Sequence, residues 1–305
     1  MEKKVIGITA IAGVITYPIA LLPLPTYYFS LFYTICSTVA LAVSWDIMGG
    51  KTGYFSIGHA AYYGSGAYVC AMFANAYPAY ALLGIPLGGL AASCLAPIIG
   101  AISLRLKALF FGIATLLFGF VLETIVLNVP ATGRGEGIAF PPSASLALNV
   151  LYVTSLTIAF IAIIIHLLIS GSRFGYGLTA IKDDEIAAEA IGVNSLSLKV
   201  RTFWISAFIA GLAGTLYPIF VSFITPDGAF SVALSLNALL AALLGGAGFV
   251  LGAIIGATFL VLLQNLLVFT IGGIVYLVIF GCLLSMVVMF LPAGIVGSLR
   301  RRFRR

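Results

Sequence analysis

Val150-Leu-Tyr-Val-Thr-Ser-Leu-Thr-Ile-Ala-Phe-Ile-Ala-Ile-Ile-Ile-His-Leu-Leu-Ile-Ser170 runs without an Asp, Glu, Lys or Arg. A bilayer-crossing helix needs about 20 apolar residues, so this run spans a membrane by itself. Nine further runs read the same way: Val5–Leu24, Ser30–Met48, Phe55–Ala76, Ala79–Leu104, Ala108–Asn128, Phe203–Ile224, Val232–Gly245, Phe249–Phe269 and Gly273–Leu291. The composition agrees. Of 305 residues, 62% are apolar and only 8% are charged, against about 25% charged in a soluble domain. The mean hydropathy is +1.19. A soluble globule cannot hide that much apolar surface. The fold class is therefore an all-α polytopic membrane protein of about ten helices (8–10), some short or Gly-interrupted. It forms one transmembrane domain over residues 1–305.

The first run follows Lys3 and Lys4, as a signal peptide does. It is too long for an h-region and no small-residue cleavage site follows, so it is kept as a span. Ten spans put both termini on one side. If that side is cytoplasmic, it holds Lys3, Lys4, Lys51, Arg105, Lys107, Arg173, Lys182, Lys199, Arg201, Arg300, Arg301, Arg302, Arg304 and Arg305. Of the 15 Lys and Arg, only Arg134 then falls outside. The positive-inside rule fixes cytoplasmic termini in a multi-pass protein of the cytoplasmic membrane, with the lipid bilayer as its solvent. The net charge of +6 is thus a topology signal. With apolar runs of this kind it does not point to nucleic acid.

Two regions are not plain spans. Gly49 to Gly66 carries Gly49, Gly50, Gly53, Gly58, Gly64 and Gly66. Val232–Gly245 is too short to cross alone, and Gly246 and Gly248 follow it. Irregular backbone at membrane depth survives only inside protein or along a wet cavity, and such breaks point to a transport pathway. Gly248, Gly252 and Gly256 recur every four residues, a spacing that suits close helix packing.

The longest polar stretch, residues 171–202, is a cytoplasmic loop. Within it Ile181–Asn194 reads as one short amphipathic helix, with Asp183 and Asp184 at its N-terminus. Ile186, Ala190 and Val193 form one apolar face, and Gly192 and Asn194 form the stop. Its carboxylates disfavour anionic lipid, so it suits a groove in a soluble partner.

Chemistry is sparse. His59 and His166 are the two histidines, and His166 stands alone in its run. No triad or metal-spaced cluster can be assembled. The four cysteines, Cys36, Cys70, Cys94 and Cys282, are scattered in apolar runs. No Gly-x-x-x-x-Gly-Lys-Ser/Thr loop occurs, so ATP is not expected on this chain. No cofactor is called for and the chain is not read as an enzyme. Ionisable groups within spans are functional candidates. Asp46 reads as a surface-level or Lys51-paired carboxylate. Glu123 is deeper, with no sequence-local partner. Asp227 follows Pro226 and reads as a loop or helix-cap residue. His59 suits a cross-helix hydrogen bond.

The loop segment Glu185-Ile-Ala-Ala-Glu-Ala-Ile-Gly192 resembles the Glu-x-Ala-Ala-x-x-x-Gly coupling loop of ABC-importer permeases, specifically the branched-chain amino-acid permease family. Gly53-Tyr-Phe-Ser-Ile-Gly-His-Ala-Ala61, Leu104-Arg-Leu-Lys-Ala-Leu-Phe-Phe111, Thr132-Gly-Arg-Gly-Glu-Gly-Ile138, Ile205-Ser-Ala-Phe-Ile-Ala-Gly-Leu-Ala-Gly214, Thr225-Pro-Asp227, Leu243-Leu-Gly-Gly-Ala-Gly248 and Leu291-Pro-x-Gly294 follow the family order. The likeness covers about Trp45 to Gly297 and is nearest to the M-type subunit. It implies a permease subunit moving branched-chain amino acids. The implied partners are two ABC ATPase subunits, a paralogous H-type permease subunit and an extracytoplasmic substrate-binding protein. The ATPase-coupling residues it implies are Asp183, Asp184, Glu185, Ala187, Ala188, Glu189, Gly192 and Asn194. Candidate pathway residues are Ser56, His59, Glu123 and Asn237. The chain departs from the family pattern twice. The acid after Thr115-Leu-Leu-Phe-Gly119 comes one turn late, as Glu123, and Asn237 stands where the family often has Glu. Two other readings share the composition: a urea or short-amide permease of the same ABC family, and an ion-coupled secondary transporter.

Overall fold

The computed structural model describes residues 16–106 and 108–270, then positions 275, 278–282, 285 and 294–296. The described chain is mostly helical. Seven of its helical segments are long and apolar enough to cross a membrane: Thr26–Gly50, Pro78–Ser103, Phe110–Asn128, Leu148–Ser170, Ser195–Val221, Pro226–Gly245 and Val250–Thr270. The expected spans Val5–Leu24 and Gly273–Leu291 lie largely outside the described residues. Of the first, a 3-10 turn at Tyr17–Leu21 is described.

In chain order the helices are α1 (Thr26–Trp45), α2 (His59–Ala76), α3 (Gly84–Ser103), α4 (Ala108–Asn128) and α5 (Leu148–Ser170). Two short helices follow, α6 (Arg173–Asp183) and α7 (Glu185–Ala190). Then come α8 (Ser195–Val221), the one-turn α9 (Pro226–Ala229), α10 (Val232–Gly245) and α11 (Val250–Thr270). The break foreseen between Gly49 and Gly66 is present. α1 runs into a π-turn at Asp46–Gly50, Gly53 takes a positive φ of 76°, and helix resumes only at His59. α2 is absent from the seven because His59, Tyr62, Tyr63, Tyr68 and Asn75 lower its hydropathy. It survives by burial inside protein rather than by facing lipid.

The core is built around α8. It packs against α1, α2, α3 and α5, while α1 also meets α5, α10 and α11. Fully buried Ala92, Ala96, Ala207 and Ala210 let α3 and α8 approach closely. α4 lies at the periphery, with Phe110, Ile113, Leu117, Val121 and Ile125 exposed. That is the surface expected where hydrocarbon replaces water. The composition reading missed one element. Ile138–Ala139 (β1) pairs antiparallel with Phe223–Ile224 (β2), Ile138 opposite Ile224. This ties the segment after α4 to the end of α8, at the end of the bundle opposite the 171–202 loop. Two residues per strand leave no alternation to read.

The glycine trio splits between two roles. Gly252 and Gly256 on α11 press against α10 backbone: a Cβ on Gly256 would collide with the Ala241 carbonyl. Gly248 instead holds a positive φ of 92° in the turn between the two helices. We expect Gly256→Leu to destabilise the purified protein by about 2 kcal/mol, because overpacking costs that order. A thermal midpoint in detergent unchanged from wild type would contradict this packing.

Candidate functional site

The 171–202 loop folds through a series of caps. Ser172 Oγ accepts from the Gly175 N–H at 3.2 Å and starts α6. Asp184 is extended (φ −159°, ψ 111°). Its Oδ1 accepts from the N–H groups of Ile186 (2.9 Å) and Ala187 (3.1 Å), so it N-caps α7. Gly192 closes α7 at φ 91°, and the Val193 N–H returns to the Ala188 carbonyl at 3.0 Å. Asn194 Oδ1 then accepts from Ser197 N–H at 3.0 Å and starts α8.

The single helix expected over Ile181–Asn194 is therefore two, broken at Asp184. Asp183 ends α6 rather than starting a helix. Of the expected apolar face, Ile186 and Ala190 are exposed and Val193 is half-buried. Ile186 is 81% exposed, and Ala188 is the α7 residue that turns inward. Ile191 (79% exposed) and Tyr176 (70% exposed) add to the outward apolar ridge. Asp183, Asp184, Ala187 and Glu189 are exposed beside it.

Glu185 does not face outward. Its Oε1 pairs with Lys199 Nζ at 2.6 Å, and its Oε2 accepts from the Tyr54 hydroxyl at 2.6 Å. Lys199 is 2% exposed and lies 4.3 Å from the centroid of the Tyr54 ring. Burial, then the Glu185 carboxylate accepting its proton, pushes the Tyr54 phenol well above its ordinary pKa. The pair therefore locks α7 to α8 and to the 51–58 segment. An open cleft of about 260 Å³ beside it is lined by Arg105, Leu106, Glu189 and Leu196 as well.

A second cluster sits deeper at the same end. Asp46 is fully buried and not at the surface. Its Oδ2 is 2.8 Å from His166 Nε2, and its Oδ1 accepts from the Gly248 N–H at 2.6 Å. His166 is thus a partner and not an isolated packed ring. Lys51 Nζ donates to the Gly248 carbonyl at 3.0 Å. Lys182, on α6, donates to the Gly50 carbonyl at 2.7 Å. The π-turn, α5, the α10–α11 turn and the loop are joined through these bonds.

The pathway candidates separate into three environments. Ser56 and His59 are fully buried. Ser206 Oγ donates to the Ser44 carbonyl at 2.7 Å, so it accepts from His59 Nε2 at 3.0 Å. His59 Nδ1 then accepts from Ser56 Oγ at 3.1 Å. This neutral chain cross-links α1, α2 and α8. Trp45 Nε1 adds a bond to the Ser56 carbonyl at 2.7 Å. Asn237 Oδ1 on α10 faces Gln264 Nε2 on α11 at 3.4 Å. Glu123 is half-buried, and its carboxyl is within hydrogen-bonding reach of Asp227. Asp227 is not the cap of α9; Thr225 Oγ1 is, accepting from the Gly228 N–H at 3.3 Å. A crevice of about 10 Å³ lies between α2, α4 and α10, lined by Gly58, Ala61, Gly119, Phe120, Phe230 and Ser235 among others. Sequence proximity showed none of these pairings. Asp46 and His166 are 120 positions apart and Glu185 and Tyr54 are 131.

The family model described as branched-chain amino acid transport system / permease component matches residues 27–291. The chain belongs to this family of membrane permeases. It is similar to the high-affinity branched-chain amino acid transport system permease protein LivM of Salmonella typhimurium, 28% identical over 259 residues. That match covers 75% of this chain and 61% of the relative, so the chain spans about three-fifths of the length of the LivM proteins it matches. It is also similar to LivH of Escherichia coli, 27% identical across 87% of this chain and 92% of that one. An autoinducer 2 import system permease protein, LsrC of Escherichia coli, is 31% identical over 41% of this chain and 38% of its own length. No solved structure matches. A family of permease components is one of transport subunits, not enzymes.

Asp46→Leu would strand His166 and the Gly248 N–H without a partner, at a cost of about 3 kcal/mol. Asp46→Asn keeps an acceptor for Gly248 and should lose less. Thermal midpoints in detergent should order wild type, Asn, Leu from high to low; equal midpoints would remove the cluster's structural role.

Proposed function

We propose that this chain is the M-type permease subunit of an ATP-driven importer that moves branched-chain amino acids across the cytoplasmic membrane, with both termini inside. It pairs with an H-type permease subunit, two ABC ATPase subunits and an extracytoplasmic substrate-binding protein. The observation that carries this reading is the loop: two capped short helices present Ile186, Ile191 and Tyr176 outward while Glu185 and Lys199 bind the inward side to α8. A soluble helix face that exposed would be a liability, and at a partner groove it is an anchor. The Lys and Arg cluster around the loop, with Arg134 at the far end, supports the orientation.

In the proposed cycle the ATPases close on ATP and push the ridge formed by α7 and Ile191. Asp183, Asp184, Ala187 and Glu189 border the contact, and Asp184, Ala188, Gly192 and Asn194 fix its shape. The push travels two ways. Glu185–Lys199 carries it to α8, and Lys182–Gly50 carries it to the π-turn and, through Asp46, to α5 and the α10–α11 turn. Ser56 and His59 act as rigid cross-links of α1, α2 and α8. The pathway runs instead by the crevice, Glu123 and the Asn237–Gln264 pair.

The autoinducer 2 permease among the relatives favours a second reading, another small polar solute as cargo; urea and short amides belong to this class.

Ile191→Asp should cut recovery of the ATPase subunits with a tagged copy of this chain by about tenfold or more, the scale of a buried apolar anchor. Mass identification of the co-purified proteins and ATP-driven leucine uptake are the measurements. Full recovery and full uptake in this variant would overturn the ridge as docking site. A wild-type chain that purifies without any ATPase would overturn the importer.

A further inference from the structure

We propose that Glu123, Asp227 and Tyr68 form a station that recognises a primary ammonium group at the mouth of the crevice. This deepens the importer reading and rests on it. α9 lies across α2 and α4, so it brings Asp227 to Glu123 on α4, within hydrogen-bonding reach. Two carboxyls at that separation repel as anions, and more strongly away from water. What sits between them must be a proton or a cation that donates to both. Among the described residues the ion pairs are His166–Asp46 and Lys199–Glu185, both at the opposite end.

Tyr68 is the independent observation. Its side chain on α2 is 3% exposed, and its hydroxyl has no hydrogen-bond partner among the described residues. The Asp227 carboxyl acts on that hydroxyl electrostatically. Its ring stacks on Phe230, centroids 5.9 Å apart, and Phe230 lines the crevice. Buried hydroxyls without a partner are rare, and each calls for an explanation.

An ammonium group has three N–H donors. Glu123, Asp227 and the Tyr68 oxygen offer three acceptor groups. Gly119 and Phe120, about one turn below Glu123 on α4, open into the apolar wall of the crevice. The three acceptors fit a cationic head group. A neutral amide or alcohol leaves the charge of the carboxylates uncompensated.

The test uses the detergent-purified complex with its partner permease and ATPases, without the binding protein, whose own selectivity would otherwise enter. The probe is 3-methylbutylammonium chloride; 3-methylbutan-1-ol and sodium chloride are controls. Thermal stabilisation against probe concentration gives an apparent affinity. Stabilisation by the ammonium alone is expected. Glu123→Gln and Asp227→Asn should each weaken it about tenfold or more, and Tyr68→Phe a few-fold, as for hydrogen bonds to a charged group. If one variant fails to fold, the other two still decide. No stabilisation beyond the alcohol, or equal stabilisation in all folded variants, would overturn the station and leave the pair sharing a proton only. ATP-driven leucine uptake is run in parallel with wild type. Uptake without ammonium binding sinks the station and keeps the importer. Ammonium binding without ATP-driven uptake does the reverse.

Discussion

The buried carboxylate of Asp46 holds three distant parts of the chain in one register. It meets the imidazole of His166 at 2.8 Å and the backbone N–H of Gly248 at 2.6 Å, while lying in a π-turn of its own helix. An acid at this depth is costly unless both oxygens are met. Both are met only if α5, the π-turn and the α10–α11 turn stay where they are. A helix broken at membrane depth carries the same constraint on its backbone. Gly50 shows how it is satisfied: its carbonyl receives Lys182 from the loop. The break in α1–α2 and the loop are therefore parts of one structure.

The helical runs, their order and the break near Gly49 could be read in the sequence because each is a local signal of length, apolarity or glycine. The loop's existence was equally legible. Its break was not, because Asp184 scores as a good first-turn residue whether it lies inside the helix or caps a new one. Side-chain geometry alone distinguishes the two. Asp46 read as a surface-level or Lys51-paired carboxylate and His166 as a lone group in an apolar run. Pairings 120 positions apart leave no mark on composition or periodicity, and neither does the two-residue β pair.

Glu185 shows how a matched motif can carry two tasks. As part of the coupling segment it stood beside residues expected to face a partner. In the structure it turns inward to Lys199 and Tyr54, while its neighbours Ile186 and Ala187 stay outside. A half-exposed ion pair contributes little stability on its own. Here Lys199 is buried and held by the Tyr54 hydroxyl and the Leu104 carbonyl as well. The cost of leaving that ammonium unpaired keeps α7 fixed to α8. A ridge fixed in that way transmits a push, whereas a mobile loop would absorb it.

The two ends of the bundle use acids in opposite ways. At the loop end Asp46 and Glu185 each have a basic partner, so their charge is spent on holding the fold. At the far end Glu123 and Asp227 face one another with no basic side chain of the described chain in an ion pair with either. Folding stability alone would select against that arrangement, since one amide in place of either acid relieves the repulsion. Retaining both makes physical sense where something positive must be held for a time and then released. A site with its own lysine or arginine would be filled permanently.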